Sequence, residues 1–413
     1  MTSSAPLRFG YLVPEFPGQT HVFFQREIEA LERDGASIDL LSTTPPDSAV
    51  MAHLWTAPAI ARTTYLGRPG LAGTRDAAAV LGRAAISRRL VPAIRRAGGG
   101  SSVERVKVLL AAAALAGRAR RLGWTHVHVH SCGNSAKIAL VAAALARVTY
   151  SLTLHGPLAD YGPQQPEKWR HAAFGLVITE RLRAEIAHEV GADVAARTVR
   201  APMGIRLDDT ERDVAYVPWH GTGDALIFSC GRLNAAKGHD VLVRAVGILN
   251  GEGIPVRLAI AGEDESGGHG FRRSLEALVA ELGLGERVTL LGAVGEDVVR
   301  EHLHHAHVFA LASRGEPLGV AIMEAMGAGL PVVIGDGGGV RELVEADTGL
   351  LVEPTDPRAV ADAIRRILRS GDMARAMGAR AQAHVRAHFT SDASAAVLAR
   401  SVRATSLVTG SPS

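Results

Sequence analysis

Alternating strand-like and helix-like segments in this 413-residue chain predict an α/β protein of two doubly wound domains facing a central cleft. Three observations carry the prediction. Short β-rich runs recur between amphipathic segments, at a spacing that suits parallel strands with helical crossovers and helices on both faces of a sheet. The rhythm breaks once, in the polar, Pro- and Gly-containing stretch DDTERDVAYVPWHGTGD at Asp208–Asp224. The chain is long enough for two domains, and 47% hydrophobic with 21% charged residues is a well-buried globular composition.

In order along the chain, the first strand-like run is LRFGYLV. It is followed by HVFFQREIEALERDG, whose apolar residues Val22, Phe23, Phe24, Ile28 and Leu31 follow helical spacing. SIDLLST comes next. Between Leu71 and Gly123 lies a helical insert with a Gly-rich break at AGGGSS; from Arg83 to Arg121 it carries ten Arg or Lys and one acid, Glu104. THVHVH, YSLTLHG, FGLVITE and TVRAPMG complete an N-terminal domain over 1–207, and 208–224 reads as a linker. The second series, over 225–385, has strands ALIFSCG, VRLAIAG, RVTLLG, HVFALAS, PVVIGD and GLLVEP, with helices such as HDVLVRAVGILN and RRSLEALVAELG between them. A C-terminal helix and tail, ending in a disordered SPS, are expected over 386–413.

The totals exclude several classes. A net charge of +3 gives no ground for nucleic-acid binding, and aromatic residues at 4% suit tight helix–sheet packing rather than stacking platforms. Cys132 and Cys230 fall in separate expected domains, so no structural disulfide and a reducing compartment are expected. The polar start MTSSAP shows no signal-peptide pattern. The apolar run IALVAAALA (Ile138–Ala146) is far short of the roughly 20 residues of a spanning helix. A cytoplasmic protein, soluble or peripheral at the inner face of the membrane, is the expectation.

In open parallel sheets ligands bind outside the carboxyl ends of strands, and the motifs sit there. In GRLNAAKGHDVLVRA a strand ends at Cys230, Gly231 allows a turn, and Arg232 and Lys237 flank a helix start. Positive charge beside oriented helix-terminal amides suits a diphosphate; a solvated Arg and Lys is the alternative. In EPLGVAIMEAMGAGLPVV, Glu316 lies in the loop after the strand HVFALAS, and Glu324 lies within two turns of the next helix. The amides of Leu318, Gly319 and Val320 would start that helix, free to bind an anion. A carboxylate accepts two hydrogen bonds from a vicinal diol, so Glu324 suits a ribose and Glu316 a sugar's hydroxyls. Two ordinary surface acids are the alternative, disfavoured by the apolar residues around Glu324.

RGEPLGVAIMEAMGAGLPVV, the upstream GRLNAAKGHDVL and the downstream GGGVRELVEADTGLLVEPTD together resemble the C-terminal domain of glycosyltransferase family 4 (glycosyltransferase group 1). These are retaining, sugar-nucleotide-dependent enzymes of the GT-B fold, built of two Rossmann-like domains. The resemblance implies that Arg232 and Lys237 hold the diphosphate, that Glu316 contacts the donor sugar and that Glu324 contacts the ribose. Val294, after the strand RVTLLG, counts with the donor-binding positions. Ala312 stands where Pro is usual, and EPLG replaces the commoner Glu-Gly-Phe-Gly, so Pro317 bears on the donor-sugar pocket. YLVPEFPGQTHVFFQREIEAL and LTLHGPLADYG look like segments of exopolysaccharide-building, colanic-acid-type members. Gly18 lies in the first β–α loop, where a backbone can approach phosphate or acceptor closely. His155 matches the family's cleft histidine, which approaches the donor sugar; a hydrogen-bonded core histidine is the other reading.

The implied activity is retaining transfer of a hexose-type sugar from a nucleotide diphosphate sugar to an acceptor, in cell-envelope or extracellular polysaccharide synthesis. Neither a cofactor nor a metal is expected. The acceptor would be a lipid-linked saccharide or a small molecule, and the basic insert is either an anionic-membrane surface or a solvated helical face. A natural-product glycosyltransferase, a sugar-nucleotide epimerase and a non-catalytic sugar-nucleotide-binding protein remain as alternatives. Three further patterns need a reading. His126, His128 and His130 share one side of a strand, which could hold zinc but lacks an evident fourth ligand. GDGGG (Gly335–Gly339) is close to a dinucleotide loop, but Val340 stands where the third glycine would fall, so it reads as a turn near the donor. The acids Glu263–Glu265 could hold a metal, or form a loop over the nucleotide.

Overall fold

A computed structural model describes residues 6–46, 53–212, 214–264 and 270–409. Most of the expected polar start, Glu265 and the SPS end lie outside the described residues. Contacts divide the chain into two compact units, Met1–Pro46 with Trp55–Pro202 and Ser394–Ser413, and Asp47–Leu54 with Met203–Ala393.

The first unit holds β1 (Arg8–Glu15), β2 (Ser37–Thr44), β3 (Thr64–Tyr65), β4 (His126–Val129), β5 (Thr149–Leu154), β6 (Gly175–Val177) and β7 (Thr198–Arg200). They form one sheet in the order β3-β2-β1-β4-β5-β6-β7, parallel throughout. The order reverses between β1 and β4. Strand β1 is an almost continuous buried run, Phe9 to Val13, as a strand covered on both faces requires. Two-residue β3 carries no periodic pattern and has no counterpart among the expected strands.

The expected insert is three helices, Gly70–Ile86, Leu90–Arg96 and Ser102–Leu122. Its Gly-rich break ends at Ser101, whose hydroxyl accepts from the Glu104 amide while the Glu104 carboxylate accepts from the Ser101 amide. The lone acid of the segment is therefore half of a capping box. Ala111 to Ala116 are buried, and the helix packs on Asn134–Leu145. Helix Ser102–Leu122 is thus the crossover leading to β4, part of the layer rather than an addition to it.

The second unit holds β8 (Ala225–Cys230), β9 (Val256–Ala261), β10 (Val288–Gly292), β11 (Val308–Leu311), β12 (Val332–Gly335) and β13 (Leu350–Val352). Its sheet order is β10-β9-β8-β11-β12-β13, again parallel, with the reversal between β8 and β11. Helix His239–Gly251 buries Val241, Leu242, Val243, Ala245, Val246 and Leu249 against this sheet and against helix Pro357–Leu368. Each of the Val and Leu side chains contributes about 1.5–3 kcal/mol by leaving water. Asp356 caps the second helix through the Arg358 amide, with Pro357 at its first position.

The stretch 208–224, expected as a linker, packs on the second unit. The Tyr216 hydroxyl donates to the His307 carbonyl at 2.8 Å, Arg212 donates to the Leu303 carbonyl, and Tyr216 and Trp219 lie against the core. Its aromatic rings find burial, which polar composition alone does not reveal. The changeover lies at Pro202–Met203, and the last helix, Ser391–Thr409, belongs to the first unit from Ser394 onward.

Candidate functional site

Within the second unit, the loops after β8 and β11 leave adjacent strands at the point where the sheet order reverses. A crevice opens at such a point because the two crossovers turn to opposite faces. Arg232 and Lys237 ride the first loop, Glu316 the second, and Glu324 the helix Val320–Gly327 that follows it. The first loop is a short turn in which the Asn234 side chain accepts from the Lys237 amide, followed by Gly238 at φ 65°. A Cβ on Gly238 would press into the backbone of Ala312, so only glycine lets the loops approach. Arg314 locks them together: its amide donates to the Ala236 carbonyl at 2.8 Å, and its guanidinium pairs with Asp240 at 3.1 Å.

Lys237 Nζ donates to Glu316 Oε2 at 2.5 Å, with side chains 18% and 8% exposed. The structure therefore brings the expected diphosphate-binding lysine and the expected sugar-binding glutamate into one ion pair. Glu316 is also gripped by its backbone. Its amide donates to the Gly337 carbonyl at 3.2 Å, and its carbonyl accepts from the Gly339 amide at 2.8 Å. The GDGGG turn after β12 is thus a clamp on Glu316. Gly319, at φ 101°, turns the chain into helix Val320–Gly327. Among the described residues, the amides of Leu318, Gly319 and Val320 donate to no acceptor in the chain. Three unused donors beside Lys237 make a concentrated anion-binding surface.

Glu324 is half-buried in the second turn of that helix. It faces the end of β8: burial, and then the Glu324 carboxylate, push the Cys230 thiol up to about 12. Arg232 is exposed on its loop. Val294 lies after β10, at the far edge of the sheet from β13, two strands away from β8. His239, the first residue of helix His239–Gly251, is a further buried group, not among the expected site residues. It is fully buried behind Gly231 and Lys237, and burial holds its imidazole down to about 4. Its position directly after the Lys-Gly pair was the available signal.

In the first unit, Gly18 lies in the turn after β1, where the His21 amide donates to its carbonyl at 2.9 Å. A Cβ there would meet only the His21 ring, a movable side chain, so the chain itself does not demand glycine. His155 follows β5. Its Nε2 lies 3.2 Å from His130 Nδ1, and the rings of Phe23 and Phe24 lie against it.

The alternating histidines of β4 pair with hydroxyls. His126 reaches Thr149 and Ser151, and His128 reaches Ser151 and Thr153, all at 2.7–2.8 Å. The parallel register of β4 on β5 sets these residues side by side, and both ring nitrogens of each histidine are engaged. Asp264 and Glu263 are taken up by Arg272, whose amide donates to Asp264 and whose guanidinium pairs with Glu263 at 2.8 Å. Among the described residues no group of three His, Cys, Asp or Glu side chains could hold a metal ion. Cys132 is buried and Cys230 half-buried, both as free thiols.

The family model for Glycosyl transferases group 1 matches residues 219–384. Alpha-D-kanosaminyltransferase of Streptomyces kanamyceticus is 29% identical over 277 residues, 61% of this chain and 70% of that protein. A GDP-mannose-dependent alpha-(1-6)-phosphatidylinositol monomannoside mannosyltransferase of Mycobacterium tuberculosis is 35% identical over 180 residues, 42% of this chain and 46% of that protein. The chain thus spans less than half the length of that second relative. Among solved structures, sucrose-phosphate synthase from Thermosynechococcus elongatus superposes with a TM-score of 0.73 at 22% identity, covering 97% of this chain and 100% of that one. Anabaena HepE in complex with UDP and glucose gives 0.71 at 16% identity, covering 95% and 99%. Two parallel sheets with flanking helices, matching these structures, are the GT-B fold. Residues 219–384, which carry Arg232, Lys237, Glu316 and Glu324, are the part of this chain that matches the group 1 glycosyl transferases.

Proposed function

We propose that this chain is a retaining glycosyltransferase of family 4 that moves a hexose-type sugar from a nucleotide diphosphate sugar to an acceptor. The observation that carries the reading is the convergence of Lys237, Arg232, the unused amides of Leu318, Gly319 and Val320, and two glutamates at one sheet reversal. Departure of the nucleoside diphosphate is the charged step. Preorganised cations and amides stabilise that charge most effectively, because they need no reorganisation as it develops. Glu324 takes the ribose diol and Glu316 the donor sugar. Val294 is assigned to the donor side as well, and Gly18 to a turn whose backbone can approach phosphate or acceptor closely. Retention follows from attack on the face the diphosphate leaves, with the leaving phosphate taking the acceptor's proton. The donor binds without a metal or cofactor.

The acceptor we favour is a lipid-linked saccharide of envelope or extracellular polysaccharide synthesis, met at the cytoplasmic face of the membrane. The mannosyltransferase relative, named for phosphatidylinositol monomannoside, supports this. So does the surface of the three crossover helices. Leu71, Ile86, Val91, Ile94, Val103, Val106 and Leu110 are seven of the thirteen exposed large apolar side chains among the described residues. They alternate with Arg83, Arg88, Arg89, Arg95, Arg105 and Lys107, none of them ion-paired among the described residues. Apolar side chains interleaved with unpaired cations suit an anionic bilayer. Arg96, Arg118 and Arg121 are excluded from that role by their pairing with Glu167, Asp39 and Asp76. No helix among the described residues is long and apolar enough to cross a membrane. A small natural-product acceptor is the second reading.

The test is a thermal-shift screen of UDP, GDP, ADP and TDP and their common sugars, with and without EDTA, followed by vesicle sedimentation. One nucleotide should raise the melting temperature, unchanged by EDTA, and binding should favour anionic over neutral vesicles and weaken with salt. No shift with any nucleotide overturns the donor site and leaves a degenerate binding module. Turnover of the donor with no acceptor present would indicate an epimerase. Equal binding to both vesicle types removes the membrane surface and leaves the small-molecule acceptor.

A further inference from the structure

Helix Val22–Arg33 buries a carboxylate. Glu27 is 1% exposed, on the same stripe as Phe24, Ile28 and Leu31. Tyr11 from β1 donates to its Oε2 at 2.7 Å, and Ser394 from the last helix donates to its Oε1 at 2.7 Å. His130, just beyond β4 and 3% exposed, places Nε2 3.1 Å from the same Oε2, off the ideal hydrogen-bond line. The other side of the His130 ring, Nδ1, lies 3.2 Å from His155 Nε2. The two imidazoles are inclined by 27° with centroids 5.4 Å apart, so they meet edge to edge. Phe24 lies against both rings.

A buried carboxylate costs several kcal/mol unless donors surround it. That requirement orders the protons outward from Glu27. A neutral imidazole carries one N–H and one lone pair. A lone pair on His130 Nε2 would face the lone pairs of Glu27, so the N–H is on Nε2. His130 Nδ1 is then an acceptor, and the proton shared with His155 comes from His155 Nε2. That leaves His155 Nδ1 as a bare lone pair. Burial supports the neutral form, holding His130 and His155 each down to about 3. The other titratable groups facing the pair are His128 from β4, Tyr11 from β1 and His21 from the turn after β1.

We infer that Glu27 and His130 are positioning residues that fix the tautomer of His155, making its Nδ1 an obligate hydrogen-bond acceptor for a sugar hydroxyl. Only the hydroxyl ligand rests on the proposed function, through the resemblance that matches His155 to a histidine approaching the donor sugar. A group able only to accept would find no donor on this atom.

Nitrogen-15 NMR of histidine-labelled full chain, without ligand, reads the tautomers directly, with His155→Gln identifying the signals. His155 should be protonated on Nε2 and bare on Nδ1. In Glu27→Gln the amide can donate to His130 Nε2, which turns that ring's proton to Nδ1 and moves the His155 proton to Nδ1. In His130→Asn the amide oxygen stands in for Nδ1, and the His155 proton should stay on Nε2. A His155 proton on Nδ1 in the unaltered protein, or an unchanged pattern in Glu27→Gln, overturns the inference. If neither variant folds, the unaltered protein alone decides. Where transfer is measurable, Glu27→Gln should lower kcat about tenfold, the effect of one lost hydrogen bond, with donor KM within about twofold. An unchanged kcat refutes the inference. A protein with the stated tautomers and no transfer from any donor would refute the proposed function and leave the relay standing.

Discussion

Gly338 and Gly253 share a φ of 79° and differ in what surrounds them. A Cβ on Gly253 meets nothing within 4 Å; a Cβ on Gly338 would press on the Glu316 carbonyl oxygen and lie 2.7 Å from its carbon. Alanine at either site bears the left-handed backbone cost, about 1–2 kcal/mol, less about 0.4–1 kcal/mol from the stiffer unfolded chain. Gly253→Ala should therefore cost about 1 kcal/mol. Gly338→Ala must also part the GDGGG turn from Glu316. That breaks the Glu316–Gly337 and Gly339–Glu316 hydrogen bonds, at 3.2 and 2.8 Å. At about 0.5–1.5 kcal/mol each, the expected difference between the variants is about 1–3 kcal/mol. Both sites lie in the second unit, so hydrogen exchange of the β8 and β11 amides compares them on one structure without assuming that the whole chain melts as one. Nucleotide binding, read in parallel, should weaken for Gly338→Ala only. Equal losses in the two variants would refute the claim that close approach to Glu316, rather than backbone conformation, makes this glycine necessary.

The ion pair makes a second test. Lys237→Met leaves the 8% exposed Glu316 carboxylate without its cation and should cost about 3 kcal/mol, the low end for a buried pair because the lysine is 18% exposed. Adding Glu316→Leu should recover part of that loss; additive losses would show that the two charges do not depend on each other. Glu324→Ala should weaken nucleotide binding, whereas Glu316→Ala should spare the nucleotide and cut transfer; wild-type transfer by both variants would remove the glutamates from the mechanism. Acid should open the first unit first. Burial holds His126, His130 and His155 down to about 3, and His128 well below its usual range. Their folded values lie below the unfolded value near 6.5, so their contribution is fully present above about 6.5 and is lost as pH falls toward 3. The limiting slope is about 1.4 kcal/mol per pH unit for each histidine, so unchanged protection of the β4 and β5 amides between pH 7 and 5 would contradict the buried neutral ladder.

Twelve of the thirteen strands among the described residues were legible as β-rich runs, because a strand buried on both faces needs consecutive apolar residues whatever its neighbours are. The exception, Thr64–Tyr65, is defined by pairing with β2 alone. Stretch 208–224 looked like a linker because its polar residues outnumber the rings of Tyr216 and Trp219, which anchor it. The Arg–Lys and Glu–Glu pairs were legible because each sits after a strand and before a helix, a local pattern. That β8 and β11 are neighbours depends on sheet order, and no local spacing encodes it.

What the amino-acid order settles, then, is whatever a single element can express: periodicity, caps and turns, and the residue types able to hold a diphosphate or a diol. What needed the folded chain is every relation between elements. The Lys237–Glu316 pair, the clamp of Gly337–Gly339 on Glu316, the histidine–hydroxyl ladder of β4 on β5, and the path from Glu27 through His130 to His155 all join segments far apart in sequence. The physical reason is that a buried polar group must find its partner wherever packing brings one within reach. Glu27 lies among the apolar residues of its helix, but its three partners come from a strand, a loop and the last helix, and only their packing determines which nitrogen of His155 is left bare.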